Sequence, residues 1–394
     1  MLNSIFLVIL YILITFLVVQ VMYLLFFSIA GIFRRKTTLM PAKQLRSIRV
    51  FIPGYKEDAV IISTARKAAE HNYPSALLEI VVIADSFSET TLNKLRSLPI
   101  KVIEVNFEKS TKGKALQKAI DATSDNPVEI VVVIDADNHM APGFLHKVND
   151  AFEQGYEVIQ GHRTAKNFET AFAFLDACTE EINNHIFRRG HVAVGLPSAL
   201  IGSGMAFSWP LFVSLLKDIG DTPGEDKELE FRIVRQRKSI AFLDGAYVYD
   251  EKVSRSEVFS KQRSRWLATQ VEFFEKYFIE GWIQLFKGNL AFFNKVFQTY
   301  LLPRVMLVAV VFLFVLFSVF IMPQFLLIGV CMFSVLTFSL LLGIPAKWYN
   351  RQLVQAFLQI PIALFSMIKA LLQISKARKQ FIHTPHGENQ TIHN

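Results

Sequence analysis

Polar and apolar positions divide this chain into three regimes. Residues 1–33 carry no charged side chain, and the stretch 5–29 is almost continuously apolar. At 1.5 Å per residue such a run reaches roughly 37 Å, enough to cross a hydrocarbon core about 30 Å thick. The pattern predicts a transmembrane helix. It lacks the basic start and small-residue cleavage site of a secretory signal peptide. Arg34-Arg35-Lys36 follows at once, so the positive-inside rule puts this end in the cytoplasm and the N-terminus outside. A second uncharged block covers 305–346, with Pro323 near its middle. It is about twice one span, and it predicts two antiparallel helices at 301–322 and 324–344 that return the chain at Lys347 and Arg351. The stretch 353–374 carries Gln355, Gln359, Pro361, Ser366 and Lys369. Spanning would put the basic tail outside, so an interfacial or re-entrant helix is expected. Residues 281–300 mix Trp, Phe, Lys and Asn and predict another interfacial helix.

The middle of the chain has a different period. Short β-branched runs at 48–53, 80–85, 102–105 and 130–135 read as strands, and 59–71 and 112–122 read as helices. Strand–helix alternation of this kind predicts an α/β domain with a mostly parallel sheet and helices on both faces. Ligands bind such sheets at the carboxyl ends of the strands. Two strands end in Asp85 and Asp135, and a third runs into Pro53-Gly54-Tyr55, so these three ends should share one crevice. The expected organisation is a transmembrane helix in 1–36, a cytoplasmic domain at 45–275, an interfacial helix at 276–300, two transmembrane helices at 301–345, and an interfacial or re-entrant helix with a cytoplasmic tail at 346–394.

Composition supports a soluble domain joined to membrane segments. Of the 394 residues, 52% are hydrophobic and 19% charged, against about 25% charged in an ordinary soluble domain. The net charge is +8. The basic runs flank apolar ones, which points to anionic lipid as the partner and away from nucleic acid. Cys178 and Cys331 lie in very different segments, so no disulfide is expected and the soluble part should face a reducing compartment. No histidine spacing suggests zinc, and no Ser-His-Asp arrangement is visible.

Asp135-Ala136-Asp137, directly after a buried-type strand, is the sharpest chemical signal. Carboxylates at i and i+2 can approach one hard cation such as Mg²⁺ or Mn²⁺, which bridges carboxylates to phosphates. Alone, the pair reads more readily as a strand-end turn with solvated acids. Gln262-Arg263-Ser264-Arg265-Trp266 offers guanidiniums for phosphate oxygens and a flat ring on which a sugar can stack. Alone, it reads as a juxtamembrane basic cluster with an anchoring Trp. Gly224-Glu225-Asp226 opens a helical pattern; its acids could cap the helix or deprotonate a hydroxyl, with Asp226 the better placed and Glu225 the alternate. Lys112-Gly113-Lys114 at a helix start suits an anion. Gly202-Ser203-Gly204 is a close-approach loop.

Taken in order, these pieces resemble the membrane-bound family 2 glycosyltransferases, which include synthases of cellulose, chitin, hyaluronan and poly-N-acetylglucosamine. The resemblance covers roughly 45–300 and extends to the tail. It rests on Pro53-Gly54-Tyr55-Lys56-Glu57, Ala84-Asp85-Ser86, Lys112-Gly113-Lys114, Asp135-Ala136-Asp137, Gly202-Ser203-Gly204, Glu225-Asp226 and Gln262-Arg263-Ser264-Arg265-Trp266. It implies a GT-A fold, an inverting mechanism, a UDP-sugar donor and Mg²⁺ or Mn²⁺ as cofactor. By motif position Pro53, Tyr55, Glu57, Asp85, Lys112 and Lys114 look like nucleotide-sugar contacts. Asp135 looks like a diphosphate-proximal acid, Asp137 like the metal ligand, and Asp226 like the catalytic base. Gln262, Arg263 and Arg265 look like diphosphate contacts, and Gly202, Ser203 and Trp266 line the acceptor side. Thr384 and His386 resemble the gating segment of polymerising members, although a His stands where Lys or Arg is commoner. In the Asp85 region, Ser86-Phe87-Ser88-Glu89 replaces a more polar run.

The function expected on this basis is addition of a sugar, UDP-N-acetylglucosamine or UDP-glucose being the favoured donors, to a growing β-linked polysaccharide at the cytoplasmic face of a bacterial inner membrane. The alternative is a single addition to a lipid acceptor, as in ceramide glucosyltransferases. So few membrane helices form at most a narrow channel, so export would draw on a second copy or a partner protein.

Overall fold

The computed structural model describes residues 2–34, 39–222, 224–252 and 256–372. The gating pair Thr384 and His386 lies outside them. The chain opens with α1 (Leu2–Phe33), then enters an α/β layer through β1 (Ile48–Tyr55), α2 (Ile61–Ala69), β2 (Leu78–Asp85), α3 (Glu89–Arg96), β3 (Lys101–Val105), α4 (Lys112–Asp121) and β4 (Ile130–Val133). β5 (His139–Met140), α5 (Phe144–Glu153), β6 (Val158–Ala165) and α6 (Ala171–Asn183) follow; a π-helical turn over Asn184–Gly190 then leads into α7 (His191–Ala193). β7 (Met205–Ser208), α8 (Trp209–Leu216), α9 (Glu225–Arg235) and β8 (Ala241–Asp250) complete the domain.

The eight strands form one sheet in the order β3-β2-β1-β4-β7-β6-β8-β5. Pairings β1–β2, β2–β3, β1–β4 and β6–β8 are parallel; β4–β7, β6–β7 and β5–β8 are antiparallel. The central strands are buried on both faces, which is why they read as unbroken β-branched runs and not as alternating ones. Ile48, Val50 and Ile52 of β1 pack into the layer under α2, α3 and α5, while Phe51 packs into the opposite layer with α4, α8 and α9. Lys101 and Glu104 on β3 keep that edge strand charged. Helix starts carry their caps: Ser88, Thr111 and Thr170 accept hydrogen bonds from the backbones of Thr91, Lys114 and Ala173.

The second half of the sheet was not legible in the sequence. β6 carries Gln160, Gly161, His162 and Arg163 in its middle, and its register slips between Gly161 and His162. Polar residues facing a buried neighbour, with a bulge between them, erase the period-two signal.

The described residues that follow are helical: α10 (Ser256–Phe286), α11 (Leu290–Tyr300), α12 (Arg304–Phe320), α13 (Leu326–Leu341), α14 (Arg351–Phe357) and α15 (Ile360–Leu372). Among the described residues two helical stretches, Ser4–Phe33 and Pro323–Leu341, are long and apolar enough to cross a membrane, and up to four spans result if each bent pair counts as one. Those pairs are α11 with α12, bent by 62°, and α14 with α15, bent by 41°. Pro303 sets the first bend by ending the run before Arg304, and Pro361 sits in the first turn of α15, where a missing N–H costs nothing. α1, α12 and α13 share a core of Leu17, Val21, Leu24, Leu307, Val311, Phe314, Met332 and Leu336. The expected boundary at 275 falls inside α10. That helix continues without a break because Phe273 and Tyr277, one turn apart, both pack on Phe231 and Phe292.

Candidate active site

Parallel register aligns Tyr55 at the end of β1 with Asp85 at the end of β2. Asp85 is buried, and its two oxygens accept from the hydroxyls of Ser86 (2.9 Å) and Ser110. β4 stops at Val133, two residues short of Asp135. The backbone N–H of Asp135 donates to the Ser203 hydroxyl at 3.0 Å, so the Gly202-Ser203-Gly204 loop is sewn onto the Asp-Ala-Asp turn. Gln160 holds that loop from beneath: its amide nitrogen donates to the Ser203 carbonyl (2.9 Å) and its amide oxygen accepts from Ile201 (3.1 Å). Nothing in the sequence singled out Gln160 beyond its being a lone amide in an apolar run.

Lys112, the first residue of α4, is the hub. Its ammonium donates to the Asp135 carboxylate and to the Gly202 carbonyl (2.6 Å), and lies 3.4 Å from Glu225. Asp135, Glu225 and Asp226 together raise the Lys112 pKa against the cost of burial. Gly202 has φ +80°, and a Cβ there would stand 3.3 Å from the Lys112 ammonium and under 4 Å from carboxylate oxygens of Glu225 and Asp135. Only glycine meets both demands without strain. Glu225 and Asp226 occupy the first turn of α9, where the helix dipole favours acids. Burial, with Asp226 and Asp135 adding repulsion, pushes the Glu225 carboxyl up to about 7 although Lys112 opposes it. Asp226 is half-buried and accepts from the Lys227 N–H at 2.8 Å.

Arg265 on α10 brings the membrane-proximal helix to the same place. Its guanidinium feels Glu225, Asp135, Asp226 and Glu57, and burial lowers its pKa. Gly224 lets α10 come this close: a Cβ there would lie 2.4 Å from Thr269, one turn beyond Arg265. Ion pairs fasten α9 to the helices behind it. Glu228 meets Lys276 (2.7 Å) and the Tyr277 hydroxyl (2.9 Å), Arg235 meets Glu280 (2.7 Å), and Glu230 meets Lys295 of α11.

Two sequence candidates are not brought to this cluster. Lys114 forms an ion pair with Asp221 at 2.6 Å and donates to the Lys109 carbonyl. On a helix, residues i and i+2 point to nearly opposite sides, and Lys112 turns to the Asp135–Glu225 cluster while Lys114 turns to Asp221. Arg263 is buried against Asp176 at 2.6 Å, with its guanidinium between the rings of Phe259 (4.5 Å) and Trp266 (4.0 Å). Trp266 is 39% exposed. Pro53 lies buried inside β1, and the buried amide oxygen of Gln262 has no hydrogen-bond partner among the described residues.

Asp137 is buried and its carboxylate accepts from Asn138 at 2.8 Å. Among the described residues no group of three or more His, Cys, Asp or Glu side chains is placed to hold a metal by itself. A cation placed at the Asp-Ala-Asp turn would have to take phosphate oxygens and water among its ligands, which is the usual habit of Mg²⁺.

Residues 46–269 match the model of a family described as glycosyltransferase like family 2. Among curated proteins, the chain is 26% identical over 227 residues to beta-monoglucosyldiacylglycerol synthase of Trichormus variabilis, covering 56% of this chain and 48% of that one. It is 24% identical over 237 residues to the probable glycosyltransferase YdaM of Bacillus subtilis, covering 57% and 55%. The chain thus spans about half the length of the curated relatives it matches. Among solved structures, the mannosyltransferase PcManGT from Pyrobaculum calidifontis, determined in complex with GDP-Man and Mn²⁺, superposes with a TM-score of 0.53 at 14% identity, covering 92% of this chain and 97% of that one. The fold is GT-A, as the sheet order and this likeness agree.

Proposed function

The chain belongs to the glycosyltransferase family 2, and from that premise we propose that it moves a hexose from a UDP-sugar to the hydroxyl of a lipid acceptor at the cytoplasmic face of a bacterial membrane. One observation carries the reading: α10 joins the charged cluster to an apolar surface. Near one end of this helix, the buried Arg265 guanidinium lies within electrostatic reach of Glu225 and Asp226, and the neighbouring Thr269 packs against Gly224 at the start of α9. The same helix then exposes Phe278, Ile279, Trp282, Ile283 and Phe286. A water-soluble donor and a membrane-held acceptor can thus meet at one place. The lipid product in the name of the cyanobacterial relative agrees with this, and the basic exit at Arg34 favours the cytoplasmic side.

Asp226 takes the proton of the acceptor hydroxyl. The oxygen attacks the anomeric carbon from the side opposite the phosphate, and the bond to the β-phosphate oxygen breaks with its electron pair leaving on UDP, so the anomeric centre inverts. Arg265 and Lys112 supply positive charge where the diphosphate gathers negative charge. A Mg²⁺ or Mn²⁺ held by Asp137, with Asp135 beside it, would neutralise the same charge. Tyr55, Glu57 and Asp85 hold the nucleoside at the strand ends, and Trp266 offers its exposed face to the acceptor. The decisive experiment supplies UDP-glucose, UDP-N-acetylglucosamine and GDP-mannose to the purified protein with Mn²⁺ and a lipid acceptor. A single-sugar product partitioning into organic solvent supports the proposal; nucleotide release unchanged in Asp226→Asn refutes the base. The exposed Trp266 ring also favours a second reading, repeated addition to a glycan, and a ladder of products longer than one sugar would establish it.

A further inference from the structure

A second buried charged cluster lies beside the first, and the mechanism above does not use it. It joins β6, α6, the π-helical turn, the end of β8, α10 and the first residue of α12. Arg163 pairs with Glu180 (2.9 Å) and lies 3.7 Å from Asp250; Arg188 pairs with Glu180 (3.2 Å); Lys252 pairs with Asp250 (2.6 Å) and Glu180 (3.5 Å); Arg263 pairs with Asp176. Among the described residues, four cations pair with three carboxylates, and Arg304 is a fifth cation beside them. Arg304 itself has no carboxylate within ion-pair distance among the described residues, and its hydrogen bond goes to the Thr179 carbonyl at 3.2 Å. It lies within electrostatic reach of two like charges, Arg263 and Arg188, and of one carboxylate, Glu180. Among the described residues, buried N–H groups on all four guanidiniums have no partner within hydrogen-bond distance: Nε of Arg163, Arg188 and Arg263, and Nη1 of Arg304.

An uncompensated buried guanidinium costs several kcal/mol, and crowding it with others adds to that cost. Proteins keep such a group where an anion completes it, and the planar fork of arginine matches phosphate best. The surroundings add a second condition. Phe172, Phe259 and Ala363, with Val305 against them, form an apolar cluster directly under Arg263, and Arg304 opens a helix of the membrane layer. The Arg163 guanidinium also feels Asp135, so this cluster borders the candidate active site.

We propose that this guanidinium cluster binds the phosphate of an anionic acceptor lipid, with Arg263 and Arg304 as its principal contacts and the apolar wall of Phe172, Phe259 and Val305 beside its chains. The inference rests on the lipid-acceptor reading and narrows it: the acceptor carries both a phosphate and the hydroxyl that is glycosylated. The phosphate is held and takes no part in bond exchange. The hydroxyl oxygen gains the anomeric carbon, the proton goes to Asp226, and the β-phosphate oxygen leaves on UDP.

The test compares phosphatidylglycerol with diacylglycerol of the same chains, both in an uncharged detergent, using the full chain and the donor that supports transfer. Phosphatidylglycerol should exceed diacylglycerol in kcat/KM by roughly tenfold or more, the scale of one charge-assisted contact. That ratio should fall toward one in Arg304→Gln and Arg263→Gln. A ratio is insensitive to partial unfolding, which lowers both rates alike. A ratio near one in the wild type, or unchanged in Arg304→Gln, overturns the proposal. Soluble glycerol 3-phosphate against glycerol separates the two readings. If neither lipid is glycosylated but glycerol 3-phosphate outruns glycerol in an Arg304-dependent way, the phosphate site stands and the lipid reading fails. Binding is followed independently of turnover by the melting temperature: phosphatidylglycerol should raise it in the wild type and not in Arg304→Gln, and no rise in the wild type also overturns the proposal.

Discussion

Two neighbouring charged clusters are built on opposite principles. In the first, Lys112 is matched by Asp135 and Glu225 and lies close to Asp226, so charge is balanced or slightly negative. In the second, guanidiniums outnumber carboxylates and Arg304 has no acid beside it among the described residues. A balanced cluster is self-sufficient, and removing one member exposes the others. An unbalanced one stores a cost that a ligand repays. The difference separates residues that organise a site from residues that wait for something to bind.

The largest effect that tests this contrast is Asp226→Asn. Loss of a positioned base should lower transfer about 10²–10⁴-fold with folding intact, read by nucleotide release; a change within twofold shifts the role to Glu225. Next is a pair of substitutions with opposite signs. Lys112→Met takes from Asp135 and Glu225 the ammonium that pairs with both and should destabilise the protein by about 3–5 kcal/mol. Arg304→Gln removes an unmatched charge and should leave the ligand-free melting temperature unchanged or raised. Equal destabilisation by both would erase the distinction between the clusters. A smaller effect is expected of Gly202→Ala. Holding a non-glycine residue at positive φ costs about 1–2 kcal/mol, and its Cβ would crowd the Lys112 ammonium, so thermal unfolding should come earlier and donor KM should rise.

The smallest effect is a pH slope. Glu225 titrates near 7 in the folded protein against an ordinary value of 4.5. The folded state therefore holds this proton more tightly than the unfolded chain does. Stability from it is present at low pH and declines as pH rises from about 4.5 to 7, levelling above. Glu225→Gln should flatten the fall in melting temperature between pH 5.5 and 8. An identical slope in the variant would remove Glu225 as its cause.

Legibility in the sequence followed burial on two faces. β1, β2 and β4 announced themselves as unbroken β-branched runs, and Asp85 and Asp135 at their ends were found for that reason. β6 hid behind Gln160, His162 and Arg163, polar groups that meet partners far along the chain: Gln160 meets Ser203, His162 meets Glu181, Arg163 meets Glu180. Arg263 shows the same limit in reverse. Its neighbours in sequence placed it among the phosphate contacts, and the fold turned it to Asp176.

The sequence alone determined the family, the parallel half of the sheet, the apolar helices and the residues Lys112, Asp135, Glu225, Asp226 and Arg265, because each is written in local period or contiguous motif. Tertiary structure decided which charges meet. Whether Lys112 or Lys114 faces the crevice is fixed by the angle between helix positions. Whether Glu225 is neutral or charged near pH 7 is fixed by burial and by Asp135 and Asp226 beside it. Whether Arg304 has a partner is fixed by which carboxylates the packing of α6, α10 and α12 brings within reach. Electrostatics depends on distance in space, and distance in space is the quantity that a linear sequence does not carry.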